Sequence, residues 1–360
     1  MGCIGPYMAQ ELTIRDAYPI GILLALPSLS NLFAGPIWGI VSDRTQSWAK
    51  TLKLASWTMF FGLVLLNVLP SAYLIIAMFF HAIGRTSIAP LIDSLIIQDL
   101  GENQKDYGKK RVWGSIGFAL GALLGSLMQS YLQISLLPLA LFPGVLFLLS
   151  LKNIKEPPPL PVPNLSKALR FLLKDMKLFA LLFAGILHFM PLIATDIFLA
   201  IHLKSLHIDP MWTGLAICSG ILVEVVILKK TGDWMHVIFS PLHLFLMAIL
   251  AGIIHWTSMI FVRDPLLIMC IQGLHGFEFG FFWLAIVDII SKKTTEIPAT
   301  GQTILNAAIG GCGAGGGIYI ASWIVESYST KHMFQWGAVL EIIALCIVLV
   351  LIWRQNNEDL

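Results

Sequence analysis

Apolar residues run along this chain in long blocks, not in the short alternation of half-buried strands. Eleven blocks, 19–41, 54–70, 72–97, 112–132, 134–151, 176–201, 211–228, 237–254, 265–290, 301–325 and 333–353, approach or exceed the roughly 20 residues a helix needs to cross a bilayer. Pro27, Pro36, Pro90, Pro143 and Pro191 fall inside these blocks. Membrane helices tolerate them because neighbouring groups satisfy the freed carbonyls. The pattern predicts an all-α, multi-pass integral membrane protein embedded in the lipid bilayer.

Composition agrees with the pattern. The 360 residues are 57% hydrophobic and 12% charged, with a mean hydropathy of +0.81, against about 25% charged residues in soluble domains. The net charge of +2 matters less than its distribution. When alternate loops are assigned to opposite sides, seventeen Lys and Arg fall on one side; Arg15, Lys204, Arg263 and Lys331 fall on the other. Cytoplasmic loops carry the excess of basic residues, so the first set, with the C-terminus, is expected in the cytoplasm.

The longest basic loop, 152–175, opens on Glu156-Pro157-Pro158-Pro159, which favours extended polyproline conformation. Ser166 is placed to cap a short helix from Lys167 to Lys174. This loop reads as a linker between an N-terminal bundle, 1–151, and a C-terminal bundle, 176–360. The two halves look duplicated. Gly21 and Gly214, Asn31 and Glu224, Gly108 and Gly301, and Ile116-Gly117 and Ile309-Gly310 all stand 193 positions apart. A near-constant offset is the mark of a parallel repeat of two six-helix halves. By that offset the first helix is largely missing, with residues 1–12 as its outer end. An upstream start would supply the rest; loss of the helix is the alternative.

Charges inside apolar blocks are expensive and functional by default. Arg85 lies well within 72–97 and is a candidate ligand for a substrate carboxylate or a proton-carrying acid. His81 stands one turn earlier and is expected on the same face. Glu224, in mid-block among Gly220 to Ile227, is the leading candidate proton carrier, with Glu278 or His275 beside it in the pathway. Gln272, His275 and Glu278 form a ladder among aromatic residues, and Asp196 is a further cavity candidate. Glu341, in the last block, is assigned a local structural role. Gly117, Gly121 and Gly125, with Gly313 and Gly317 in the second half, form small-residue faces for helix packing. The five cysteines, Cys3, Cys218, Cys270, Cys312 and Cys346, read as small packing residues. No disulfide, metal site or cofactor is expected from their spacing. No phosphate loop or nucleophile elbow appears, which argues against an enzyme and against nucleic-acid chemistry.

Gly39-Ile40-Val41-Ser42-Asp43-Arg44 resembles the GxxxDR element of the major facilitator superfamily, although the following Gly and basic residues of that pattern are replaced. Ala89-Pro90-Leu91-Ile92-Asp93-Ser94, then Tyr107-Gly108, then Arg111-Val112-Trp113-Gly114-Ser115, resembles the phenylpropionate-permease group, placed with the lactose-permease-like and nucleoside proton symporters. The resemblance implies two helical bundles that rock about a central cavity. It implies a bacterial inner membrane and a monomer, and a cytoplasmic gate involving Gly39, Asp43, Arg44, Asp93, Arg111 and Asp288. Its partners would be protons and a small organic solute: an organic acid, a sugar or a nucleoside. Proton-coupled symport is the expected mode; efflux by antiport, or a membrane sensor or remnant without transport, are the alternatives.

Overall fold

The computed structural model describes residues 5–15, 19–45, 47–100, 107–132, 134–156, 174–228, 239–293 and 305–358. They form a helical array in which nine helices are long and apolar enough to cross a membrane, among the described residues. The N-terminal half contains α1 (Met8–Ile14), α2 (Ile20–Leu29), α3 (Ala34–Thr45), α4 (Trp48–Val68), α5 (Leu74–Leu100), α6 (Tyr107–Leu132), α7 (Leu136–Leu139) and α8 (Leu141–Ser150). The C-terminal half contains α9 (Met176–Ser205), α10 (Met211–Val226), α11 (Pro241–Phe261) and α12 (Pro265–Lys293). A π-helical stretch, Asn306–Gly315, then runs into α13 (Gly316–Ser327), and α14 (Thr330–Glu358) follows.

Two apolar blocks are not single helices. Block 19–41 divides into α2, a 3₁₀ turn at Ser30–Leu32, and α3. Pro36 in the first turn of α3 has no N–H to continue an α ladder back to Leu32. The Ser30 hydroxyl meanwhile donates to Leu26 O at 2.7 Å. Block 134–151 breaks at Ala140 into α7 and α8, where Pro143 cannot donate to the carbonyl of Leu139.

The surface is that of a protein solvated by lipid. Trp57, Phe61, Phe142, Phe183, Trp323 and Ile342 are exposed on the long helices, where acyl chains replace water and exposure of apolar groups costs nothing. Among the described cysteines, Cys270, Cys312 and Cys346 are likewise exposed and Cys218 is half-buried, so three of these four thiols face outward and do not fill the core. One buried apolar cluster crosses both halves, from Met8, Leu12, Leu23 and Leu66 to Phe198, Ile217, Trp256 and Phe334. A second is drawn only from residues 178–351 and includes Leu178, Phe245, Phe282, Ile286 and Val348.

Polar groups fasten the helix ends. Buried Glu11 on α1 accepts from Ser135 Oγ at 2.6 Å and from Leu136 N at 2.8 Å, so it satisfies an otherwise orphaned N–H at the start of α7. Glu156 accepts from Ala49 N and Lys50 N, both at 2.9 Å, and caps α4 from more than a hundred residues away. Asp175 caps its own helix, α9, through Lys177 N and Leu178 N at 3.0 Å, and receives Lys293 Nζ at 3.0 Å. Residues 157–173, with the expected Ser166 cap and the Lys167–Lys174 helix, lie outside the described residues but for Lys174.

Candidate functional site

Helices α9, α11, α12 and α14 bring a set of acids and histidines together in the apolar interior of the C-terminal half. His255 of α11 sits at its centre. Its Nδ1 is 2.6 Å from Glu278 Oε1, and its Nε2 is 3.3 Å from Gln272 Oε1. His255 and Glu278 are fully buried, and Gln272 nearly so. Gln272 and Glu278 are six residues apart on α12, which places them on neighbouring turns with the imidazole between them. A neutral imidazole donates through one nitrogen, and a protonated one through both. This setting can therefore hold a proton between two oxygen acceptors.

His275, from the same helix, turns toward α9. Its Nε2 lies 3.5 Å from Asp196 Oδ1, and its ring centroid is 6.4 Å from that of His255. Asp196 is the most open member, with 28% of its side chain exposed against 9% for His275. Asp196 is thus the point at which the network is most open to its surroundings.

A second pair is buried to the same degree. His188 Nδ1 of α9 is 2.9 Å from Glu341 of α14, with neither side chain exposed. The His188 ring is held by Phe245 and Phe282, at centroid distances of 5.6 and 5.0 Å. Space for the Glu341 carboxyl exists because residue 252 is glycine; a β-carbon there would stand 2.7 Å from Glu341 Oε1. Buried charge of this kind persists only when it is paired. Glu278 Oε2, His275 Nδ1 and His188 Nε2 are buried with no hydrogen-bond partner among the described residues. No cluster of three metal-ligating side chains occurs among them.

The remaining expected residues fall elsewhere. Glu224 is half-buried on α10, beside Gly276 of α12, where a β-carbon would stand 2.6 Å from Glu224 N. His81 and Arg85 stand one turn apart on α5 and differ in exposure. His81 is buried against α4, its Nδ1 3.3 Å from Met59 O, while Arg85 is exposed. The cause is a close crossing of α4 and α5, in which Gly62 meets the backbone of His81 and Gly84 meets that of Met59. Asp288 pairs with Lys292 at 2.7 Å within α12. The side chains of Asp43, Arg44, Asp93 and Arg111 lie outside those described. Gly39 and Gly117 have nothing within 4 Å of where a β-carbon would stand. Gly121 is half-buried and Gly125 buried on α6. Gly313 and Gly317 contact Phe189 and Met190 of α9.

Sequence reasoning missed His255 and gave Glu341 no partner. The expected block 237–254 stops one residue short of His255, although α11 continues to Phe261. The usable signal was the histidine itself, followed by Trp256 and six more residues before the charged Arg263. His202, also overlooked, is buried with Nδ1 2.8 Å from Thr330 Oγ1 and joins α9 to α14.

Comparison with known proteins gives a consistent picture. The model of the MFS_1 like family matches residues 1–336. The chain is 22% identical over 359 residues to a maltose permease of Geobacillus stearothermophilus, covering 98% of this chain and 90% of that protein. It is also 22% identical to the uncharacterized transporter YwbF of Bacillus subtilis strain 168, covering 99% of this chain and 91% of that protein. Among solved structures, a point mutant of the nucleoside transporter NupG superposes with a TM-score of 0.81 at 16% identity, covering 97% of this chain and 94% of that one. A second NupG structure gives a TM-score of 0.75 at 16% identity, covering 98% and 93%.

Proposed function

Because this chain belongs to the MFS_1 like family of major facilitator superfamily transporters, we propose that it carries a small polar organic solute by alternating access, in symport with protons. The observation that supports this reading is the 2.6 Å contact between His255 and Glu278, both without exposure, in the interior of the C-terminal helices. A carboxylate–imidazole pair of this kind can take up and release one proton as its surroundings open and close. His275 and Asp196 connect it to the more open side of the helix set. Arg85, exposed on α5 of the other half, supplies a positive charge for an anionic or polar group of the solute. Glu224 remains a second candidate proton site.

The relatives suggest the size of the cargo: one is named for maltose and one structure for nucleosides. We take a sugar or nucleoside as the substrate class, ahead of an organic acid. In this reading the chain acts as a monomer in a bacterial plasma membrane, with the lysine-rich loops and the C-terminus in the cytoplasm. Bundles 1–151 and 176–360 rock about the solute and are tethered by 152–175.

The test is uptake into proteoliposomes with an imposed pH gradient, using radiolabelled sugars, nucleosides and organic acids. Symport predicts accumulation that follows the proton gradient and collapses with a protonophore. Glu278→Gln should lose accumulation while retaining counterflow exchange. Uptake indifferent to the gradient would overturn proton coupling. Accumulation driven only by the opposite gradient would establish antiport instead.

A further inference from the structure

The outer face of the N-terminal half carries a groove that the transport reading does not use. It lies between α4 and α8, has a volume of about 350 Å³, and is lined by Trp57, Phe60, Val145, Leu148 and Leu149 below Lys53 and Lys152. Residue 144 is glycine, and a β-carbon there would stand 2.9 Å from the Phe60 ring. The missing side chain lets that ring settle into the floor of the groove. Trp57 meets Phe60 edge-on at a centroid distance of 6.1 Å and is 58% exposed.

The charge at the mouth is organised. Lys53 Nζ donates to Lys152 O at 3.2 Å, which holds its ammonium at the end of the groove. Lys152 is exposed, as are Lys50 and Lys155 nearby. The acid in this stretch, Glu156, is engaged by two backbone N–H groups at the start of α4. Both lysines lie near the ends of membrane-crossing segments, Trp48–Val68 and Leu136–Asn153, at the basic end of the molecule. That is headgroup depth, with apolar walls extending toward the acyl chains and a tryptophan one turn below, where amphipathic rings prefer to sit.

We propose that this groove is a binding site for an anionic phospholipid, its phosphate between Lys53 and Lys152 and one acyl chain along Trp57, Phe60 and Leu149. Basic residues next to a membrane attract acidic headgroups electrostatically. The apolar walls favour a lipid over a free phosphate because an acyl chain packs along them and a free phosphate has nothing to place there.

The test is native mass spectrometry of the purified full-length chain titrated with phosphatidylglycerol, with phosphatidylcholine and sn-glycerol 3-phosphate as comparison ligands. The expected result is a retained phosphatidylglycerol whose affinity falls about fivefold for Lys53→Gln and again for Lys152→Gln. Lys204→Gln, at the opposite end, should leave it unchanged. Gly144→Leu should weaken binding with both lysines present, and the double Lys→Arg variant should retain it. Equal binding of phosphatidylcholine, full displacement by glycerol phosphate, an unaffected double Lys→Gln variant, or loss in the double Lys→Arg variant would each overturn the proposal.

Discussion

Gly214 of α10 stands so close to Ser126 of α6 that a β-carbon at 214 would fall on the serine side chain, with Leu123 Cα 3.0 Å away. Gly21, 193 positions earlier, stands in the same relation to α13, where a β-carbon would lie 3.0 Å from Ser322 Cβ and 3.6 Å from Tyr319 O. Ser126 and Tyr319 are themselves 193 apart. The duplicated halves thus meet through two equivalent glycine contacts, as a pseudo-twofold axis requires. Both contacts lie toward the end poor in lysine and arginine, where Ser130 Oγ also donates to Asp209 at 2.7 Å. Toward the basic end, Gly117 faces open space.

Gly214→Val should disfavour this closed contact. Overpacking a tight interface costs about 1–3 kcal/mol, enough to shift a two-state balance by roughly five- to a hundredfold. A cysteine replacing buried Gln129, a turn from Ser126 on α6, should react faster with a membrane-impermeant maleimide in that background. An unchanged labelling rate would show that the contact does not hold this end closed.

His188 and Glu341 should behave as a unit. Removing one partner of a buried pair costs about 3–5 kcal/mol, because the other is left uncompensated, whereas an apolar replacement of both is often neutral. His188→Leu and Glu341→Leu alone should each lower the melting temperature. The double variant should recover most of the loss, as a thermal-shift cycle would reveal.

Glu11→Ala should release the start of α7. It strands the Leu136 N–H and the Ser135 hydroxyl in a buried position, at a cost of about 1–3 kcal/mol. Thermal denaturation in detergent measures this directly. Glu11→Gln, which keeps one acceptor, should lose less.

Asp175 should contribute acid-sensitive stability. Partial burial pushes its carboxyl upward, but hydrogen bonds from Leu178 N, Lys293 and Lys177 N outweigh it and hold the group below the usual carboxylate range. A depressed folded value means that the contribution is complete above the unfolded value, near pH 4, and is lost as pH falls through the folded value. The melting-temperature difference between the wild type and Asp175→Asn should be constant at neutral pH and should shrink below about pH 4.

The helical blocks were legible because a span must be apolar for about 20 residues, and nothing in a loop imitates that. Their ends were not. Block 54–70 began after Lys50 and Lys53, yet α4 starts at Trp48, because lysines at a helix end reach the interface and leave the helix intact. The polar residues of α12 stood out for the same reason the spans did: Gln272, His275 and Glu278 interrupt an apolar run. What they touch could not be read. His255 and Glu278 are 23 positions apart, and His188 and Glu341 are 153 apart; only helix packing brings them together. His81 and Arg85 show the converse. Helical spacing put them on one side, but the glycine crossing of α4 and α5 buried one and left the other open.

Glu156 and Asp175 have a joint consequence. Each secures the first turn of a helix in a different half, so the strand of chain between them is fixed at both ends. The eighteen residues in between can stretch to roughly 60 Å at about 3.3 Å per residue. Under the rocking proposed above, a segment of that length would let one half move against the other without setting how far they swing. The limit of the stroke would then fall to the faces where helices meet.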